Sequence, residues 1–164
     1  MTSKNLTDKE LIQFVYSELA GQMIMQNVPD FSDIKQWRKV VSEMAIPVAT
    51  TYRIGILNLQ VMNGGLIQYF DNGYGIFAKE TLDDLKRVGA FLTNKILEDC
   101  LSILNPKNFD AERFVMFIVN REYEIYESKI EDDLNKLDNQ YYELDEKENL
   151  EVLVASFLRQ SEVL

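Results

Sequence analysis

Apolar residues along this chain return at steps of three and four, the period of helices rather than the alternation of strands. Thr7-Asp8-Lys9-Glu10 opens the first such run in the form of a capping box, with Thr7 placed to accept from first-turn amides and Glu10 to reach back. Ile12, Val15, Tyr16, Leu19 and Met23 follow at helical spacing and predict a helix to about Met25. Pro29-Asp30-Phe31-Ser32 breaks the chain, and Ile34, Trp37, Val40, Val41 and Met44 give the face of a second helix. Pro47 fits the first turn of a third. That helix, to about Met62, is apolar on most sides (Val48, Tyr52, Ile54, Ile56, Leu57, Leu59, Val61) and reads as buried and central. Gly55 within it predicts the close approach of a neighbouring helix.

Beyond Gly75 the same period continues. Leu82, Leu85 and Val88 mark a short helix ending near Gly89, and Phe91, Leu92, Ile96, Leu97, Cys100, Leu101 and Leu104 mark another, stopped by Asn105-Pro106. Asp110 reads as the N-cap of the longest element, whose face runs Val119, Tyr123, Tyr126, Ile130, Leu134, Leu137 and Tyr141. Asp145 with Glu148 repeats the capping-box form, and Leu150, Leu153, Val154, Phe157 and Leu158 form the stripe of a last helix. The prediction is an all-α fold: a single compact domain over residues 1–164, of about seven helices. Its core is expected to hold Leu59, Met62, Phe70, Leu101 and Ile130.

Composition narrows the chemistry more than the fold. With 164 residues, 46% of them apolar, the chain can bury one respectable core, and three prolines with seven glycines leave few turns for a many-stranded sheet. The first eight residues have neither the basic start nor the apolar run of a signal peptide, and the longest purely apolar stretch, Phe114 to Val119, is too short to span a bilayer. The expectation is a cytoplasmic protein without a membrane partner. Cys100 is the single cysteine, which excludes an intrachain disulfide, and it sits on an apolar face as a small core residue. Histidine is absent, which removes the usual general base near neutral pH, the commonest transition-metal ligand and every Ser-His or Cys-His pair. No cofactor, metal or catalytic residue is expected.

The formal net charge of −10 is unevenly placed. Six bases balance six acids up to Gln60, and five bases face six acids from Val61 to Asn108; from Phe109 onward six bases face fifteen acids. Such a surface repels nucleic acid and attracts basic proteins.

Asn63-Gly64-Gly65-Leu66-Ile67-Gln68-Tyr69-Phe70-Asp71-Asn72-Gly73-Tyr74-Gly75 gathers four of the seven glycines and three side-chain amides. The pair Gly64-Gly65 after an apolar helix supplies the backbone freedom of a helix stop, and Gln68-Tyr69-Phe70 reads as a short helix returning aromatics to the core. Asn63, Gln68 and Asn72 could present amides to a ligand. The structural reading, in which they satisfy backbone groups where helices end and restart, is preferred because three amides without a nucleophile or base make no catalytic set. The order Asn-Gly-Gly, two residues, Gln-Tyr-Phe, one residue, Asn, two residues and Gly, ending at Gly75, resembles a bacterial family of small acidic helical proteins named for a DNA-mimic protein. The resemblance runs from about Val40 to Gln160 and includes Leu137-Asp138-Asn139-Gln140-Tyr141-Tyr142 before a Leu-rich final helix. Leu66 stands where an aromatic is common in the family, and Gly73 where a small hydroxyl residue is common. The resemblance implies a helical fold and an acidic surface that takes the place of DNA.

Between Glu122 and Glu148 eleven acids face three lysines. If most of this segment is helical, roughly 40 Å of axis carries them, about one carboxylate per 4 Å, close to the phosphate spacing of about 3.4 Å along a DNA strand. Glu124, Glu127 and Glu131, at steps of three and four, form the most phosphate-like row, joined in the candidate partner-binding face by Asp132, Asp133 and Asp138. The functional expectation is a non-enzymatic binding protein occupying the basic site of a DNA-binding protein, such as a transcription regulator or nucleoid protein. A second reading is an interaction or immunity-type module that binds one protein by shape and apolar contacts. A carboxylate enzyme with a metal is a third, and the acids lack the ligand spacing and central glycine of a calcium loop. A homodimer stays open.

Overall fold

The computed structural model describes residues 6–123 and 128–161, and every regular element among them is helical. In chain order the helices are α1 (Asp8–Gln13), α2 (Gln22–Asn27), α3 (Ile34–Glu43), α4 (Ile46–Asp71), α5 (Ala78–Val88), α6 (Phe91–Leu104), α7 (Ala111–Val119), α8 (Ser128–Tyr142) and α9 (Leu150–Gln160). A π-helical stretch, Phe14–Gly21, joins α1 to α2, so the first predicted helix is continuous but widened in its middle. The all-α expectation holds.

The chain divides into two compact units, one taking in the residues up to Gly55 with the segment from Leu150 onward, the other Ile56–Asn149. In the first, the Thr7–Glu10 capping box forms as its spacing predicts: Thr7 N donates to Glu10 Oε2 (2.9 Å) and Glu10 N to Thr7 Oγ1 (3.3 Å). Leu11, Val15, Ile24, Trp37, Val41, Val154 and Leu158 are buried there. Arg159 on α9 reaches Asp8 (2.5 Å) and the Leu6 carbonyl (3.1 Å), fastening the last helix beside the first. The Tyr16 ring stacks on Tyr52 with centroids 5.7 Å apart and lies so close over Gly55 that a Cβ there would meet ring carbons at 2.7 and 2.8 Å. Gly55 therefore serves the close approach expected of it.

The second unit holds the core of Leu57, Val61, Leu66, Tyr69, Phe70, Ile76, Leu85, Leu97, Phe114, Ile118 and Leu134. Gly89, at φ +83°, ends α5 in the left-handed conformation, and Asn105 ends α6. Asp110 caps α7 by accepting from Arg113 N at 2.8 Å. Three expectations change. The element begun at Asp110 is not continuous: α7 stops at Val119, Arg121 takes a positive φ of 51°, and α8 starts afresh at Ser128. Glu148 does not cap the helix that follows it; its carboxylate accepts from Leu92 N and Thr93 N (2.8 Å each) and from Thr93 Oγ1 (2.7 Å) at the start of α6. Leu59 and Met62 are 57% and 56% exposed, whereas Phe70 and Leu101 are buried and Ile130 is half-buried. An apolar residue on an almost wholly apolar helix is covered only where a neighbour lies against it, and periodicity does not record the neighbours.

Candidate functional site

The glycine motif lies inside α4, and the predicted stop is real but leaves no loop. Gly64 has φ −160° and ψ 26°, Gly65 has φ +76° and ψ −178°, and Leu66 resumes the helix to Asp71. A helix that restarts within one residue needs new acceptors for its first amides. Asp138, from α8, supplies one: its Oδ1 accepts from Leu66 N at 2.8 Å. Its Oδ2 occupies the space that a Cβ on Gly65 would fill. Gly65 is thus required twice, by its positive φ and by the carboxylate seated against it.

The amides of the motif bond one another, a correction to the expectation that they serve backbone groups. Asn63 Nδ2 donates to Gln68 Oε1 (2.9 Å), Gln68 Nε2 to Gln60 Oε1 (2.9 Å) and Asn72 Nδ2 to the same Gln60 oxygen (2.8 Å). The chain of amides spans the break and ties residues on both sides of it to Gln60. Gly64, whose φ any residue can adopt, is held small by the Gln68 side chain, which occupies its Cβ position. Tyr69 and Phe70 are fully buried edge-to-face with centroids 5.1 Å apart, and the Phe70 ring fills the space beside Gly75. Tyr123 Oη donates to the Phe70 carbonyl at 3.0 Å. Two more hydroxyls hold α8 against α4: Tyr141 Oη donates to Asn58 Oδ1 and Tyr142 Oη to the Val61 carbonyl, each at 3.0 Å.

The acidic residues separate into two kinds. Glu124 and Glu127 lie outside the described residues. Glu131 and Asp132 are exposed on the first turns of α8, and Asp133 is half-buried beside Lys136 Nζ at 2.7 Å, a hydrogen bond that lowers its pKa and raises that of the lysine. Asp138 leaves the predicted face altogether, since it is buried against the kink. Burial raises its pKa, the bond from Leu66 N opposing this. Burial also raises the Cys100 thiol and Tyr142 phenol, with the Asp138 charge adding to each. Glu122 receives a forked pairing from Arg113 and a bond from Asn120 Nδ2 (3.0 Å), which together lower its pKa to about 2. Glu143 and Glu146, beyond Tyr142, face solvent.

A polar groove of about 580 Å³ opens elsewhere in this unit, where α5 and α6 face each other. Four of its charged side chains pair off, Lys86 with Glu98 (3.1 Å) and Lys95 with Asp99 (2.6 Å), and Lys79 donates to the Phe109 carbonyl. Among the described residues no three His, Cys, Asp or Glu side chains gather as a metal site, and no helix is long and apolar enough to cross a membrane.

A sequence model of the DMP19-like protein family matches residues 42–161, which take in the kink, Gln60 and all of α8. The chain belongs to that family. No curated protein and no solved structure matches it. Within the matched region, sequence reasoning missed Gln60 and the capping role of Asp138. Gln60 carried a signal, as the polar residue flanked by Leu59 and Val61 on an apolar helix, two turns before Gln68. Asp138 lies 72 positions from its partner and carried none.

Proposed function

We propose that this protein is a non-enzymatic, cytoplasmic binding protein whose exposed carboxylates occupy the basic DNA-binding surface of another protein, as a DNA mimic. The observation that carries the reading is the excess of acid from Phe109 onward, with Glu131, Asp132, Glu143 and Glu146 left facing solvent. These groups would take the positions of phosphates and meet lysine and arginine of the partner in charge-assisted hydrogen bonds. Asp138 and Glu148 cap helices instead and are no part of that surface, so the mimicry rests on fewer carboxylates than the sequence counts.

The test immobilises the protein, captures a DNA-binding protein at low salt, and challenges the complex with duplex DNA and with a salt series. Displacement by DNA and steep loss with salt are expected, together with weaker, salt-insensitive capture by the joint variant Glu131→Gln, Asp132→Asn, Glu143→Gln, Glu146→Gln. A complex indifferent to duplex DNA, with equal salt slopes for wild type and variant, would overturn the mimic reading.

A further inference from the structure

The groove between α5 and α6, of about 580 Å³, has the volume of a small-molecule site and shares no residue with the acidic surface proposed above. Three lysines and three acids line it. The pairs Lys86–Glu98 and Lys95–Asp99 account for four of these and leave Lys79 and Asp83. Those two stand four residues apart on α5, within reach of each other, yet they do not pair. Lys79 Nζ is drawn away: it donates to the Phe109 carbonyl and lies 5.4 Å from the centre of the Phe114 ring. Among the described residues Lys79 has no carboxylate partner and Asp83 no cationic one.

A buried amide stands beside that lysine. Asn105 lines the groove at 6% exposure, and its Oδ1 accepts from Phe109 N at 3.1 Å. With the oxygen committed, its Nδ2 is a donor that meets no acceptor among the described residues. Side chains buried to this degree ordinarily have their polar groups engaged, so the idle Nδ2 points to a ligand. Lys79 and Asn105 bond the carbonyl and the N–H of one residue, Phe109, which brings an ammonium and an amide donor together. Two converging donors, one of them charged, make a seat for a carboxylate.

We propose that this groove binds a small zwitterion of the amino-acid or short-peptide class, its carboxylate held by Lys79 Nζ and Asn105 Nδ2 and its ammonium by Asp83. A zwitterion fits because the two unpaired charges are of opposite sign and stand on neighbouring helical turns. A plain anion would be left facing Asp83, and a plain cation facing Lys79. Leu82, Leu101 and Pro106 add carbon surface for the ligand's skeleton.

The test titrates the isotope-labelled whole chain with glycine, diglycine and triglycine, whose two charges lie progressively further apart, and follows backbone amide shifts by NMR. Saturable shifts around Lys79, Asp83 and Asn105 are expected with at least one of the three, and which one binds distinguishes a free amino acid from a peptide. For that probe, acetylating the amine or amidating the carboxylate should each weaken binding roughly tenfold. Asp83→Asn, at an exposed position, should leave the zwitterion binding no better than its acetylated form. Asn105→Asp keeps an oxygen for Phe109 N and should erase the preference for a free carboxylate over its amide. Circular dichroism checks that both near-isosteric variants fold; should Asn105→Asp unfold, the capped probes and Asp83→Asn decide the matter. Binding of none of the three probes, capped forms that bind as tightly as the zwitterion, or an Asp83→Asn protein that binds as wild type would each overturn the assignment.

Discussion

Glu131 and Asp138 are carboxylates seven residues apart on α8, two turns along nearly the same side of one helix, yet Glu131 faces water and Asp138 is buried. The difference lies in α4. Its broken turn at Gly64–Gly65 lies against the C-terminal half of α8 and presents an amide that needs an acceptor, whereas Glu131 meets no such group. The same chemical group, a carboxylate, is therefore a structural cap at one end of the helix and a surface charge at the other. What decides between them is the backbone opposite.

That contrast can be broken most strongly at Gly65. Gly65→Ala should cost about 2–4 kcal/mol, summing left-handed strain and displacement of Asp138, and lower the midpoint of urea unfolding accordingly. Gly73, also at positive φ (82°) but with open space around it, isolates the strain: Gly73→Ala should cost about 1 kcal/mol. Equal losses at the two glycines would mean that the seat of Asp138 contributes nothing.

Removing the acceptor itself should have an effect of intermediate size. Asp138→Leu strands a buried Leu66 N–H and should cost about 1–3 kcal/mol, while Asp138→Asn keeps an oxygen for it and should cost less. The two are separated further by pH. The folded-state pKa of Asp138 is raised by burial, so its contribution is fully present below the unfolded value and is lost as pH rises through the folded one. Asp138→Asn should therefore gain on wild type across that window, and chemical denaturation at a series of pH values reads the gain. Glu148→Ala should cost about 0.5–2 kcal/mol through loss of the α6 cap, a second instance of a carboxylate capping from outside the helix.

The smallest effect on stability belongs to the exposed end. Glu131→Gln with Asp132→Asn should leave the unfolding free energy within about 0.5 kcal/mol of wild type. A larger loss would show that these acids, too, are engaged in the fold.

What the sequence made legible was local. Thr7 and Glu10 cap α1, Asp110 caps α7, and Gly89 and Asn105 end their helices where their chemistry says, because each acts on residues within one turn. The break between α7 and α8 was hidden because Val119, Tyr123 and Ile130 stay in phase across it, with neither glycine nor proline to mark it. Asp138 looked like surface charge, and Glu148 like the partner of Asp145 in a local capping box, because the amides they serve lie far off in sequence, 72 and 55–56 positions away. Leu59 and Met62 looked like core because a hydrophobic pattern reports what a side chain prefers, not what lies against it.

The split in α4 also bears on the order in which the chain folds. Leu66–Asp71 is too short to hold a helix on its own, since nucleation alone outweighs what so few residues return. Its first acceptor arrives from α8, so this half should become native only when a contact spanning 72 positions closes, after local helices have formed. Φ-values at Leu66 and at Asp138 should therefore rise or fall together and differ from those along Pro47–Ile54, which needs no such closure. A high Φ at Leu66 beside a Φ near zero at Asp138 would contradict that coupling.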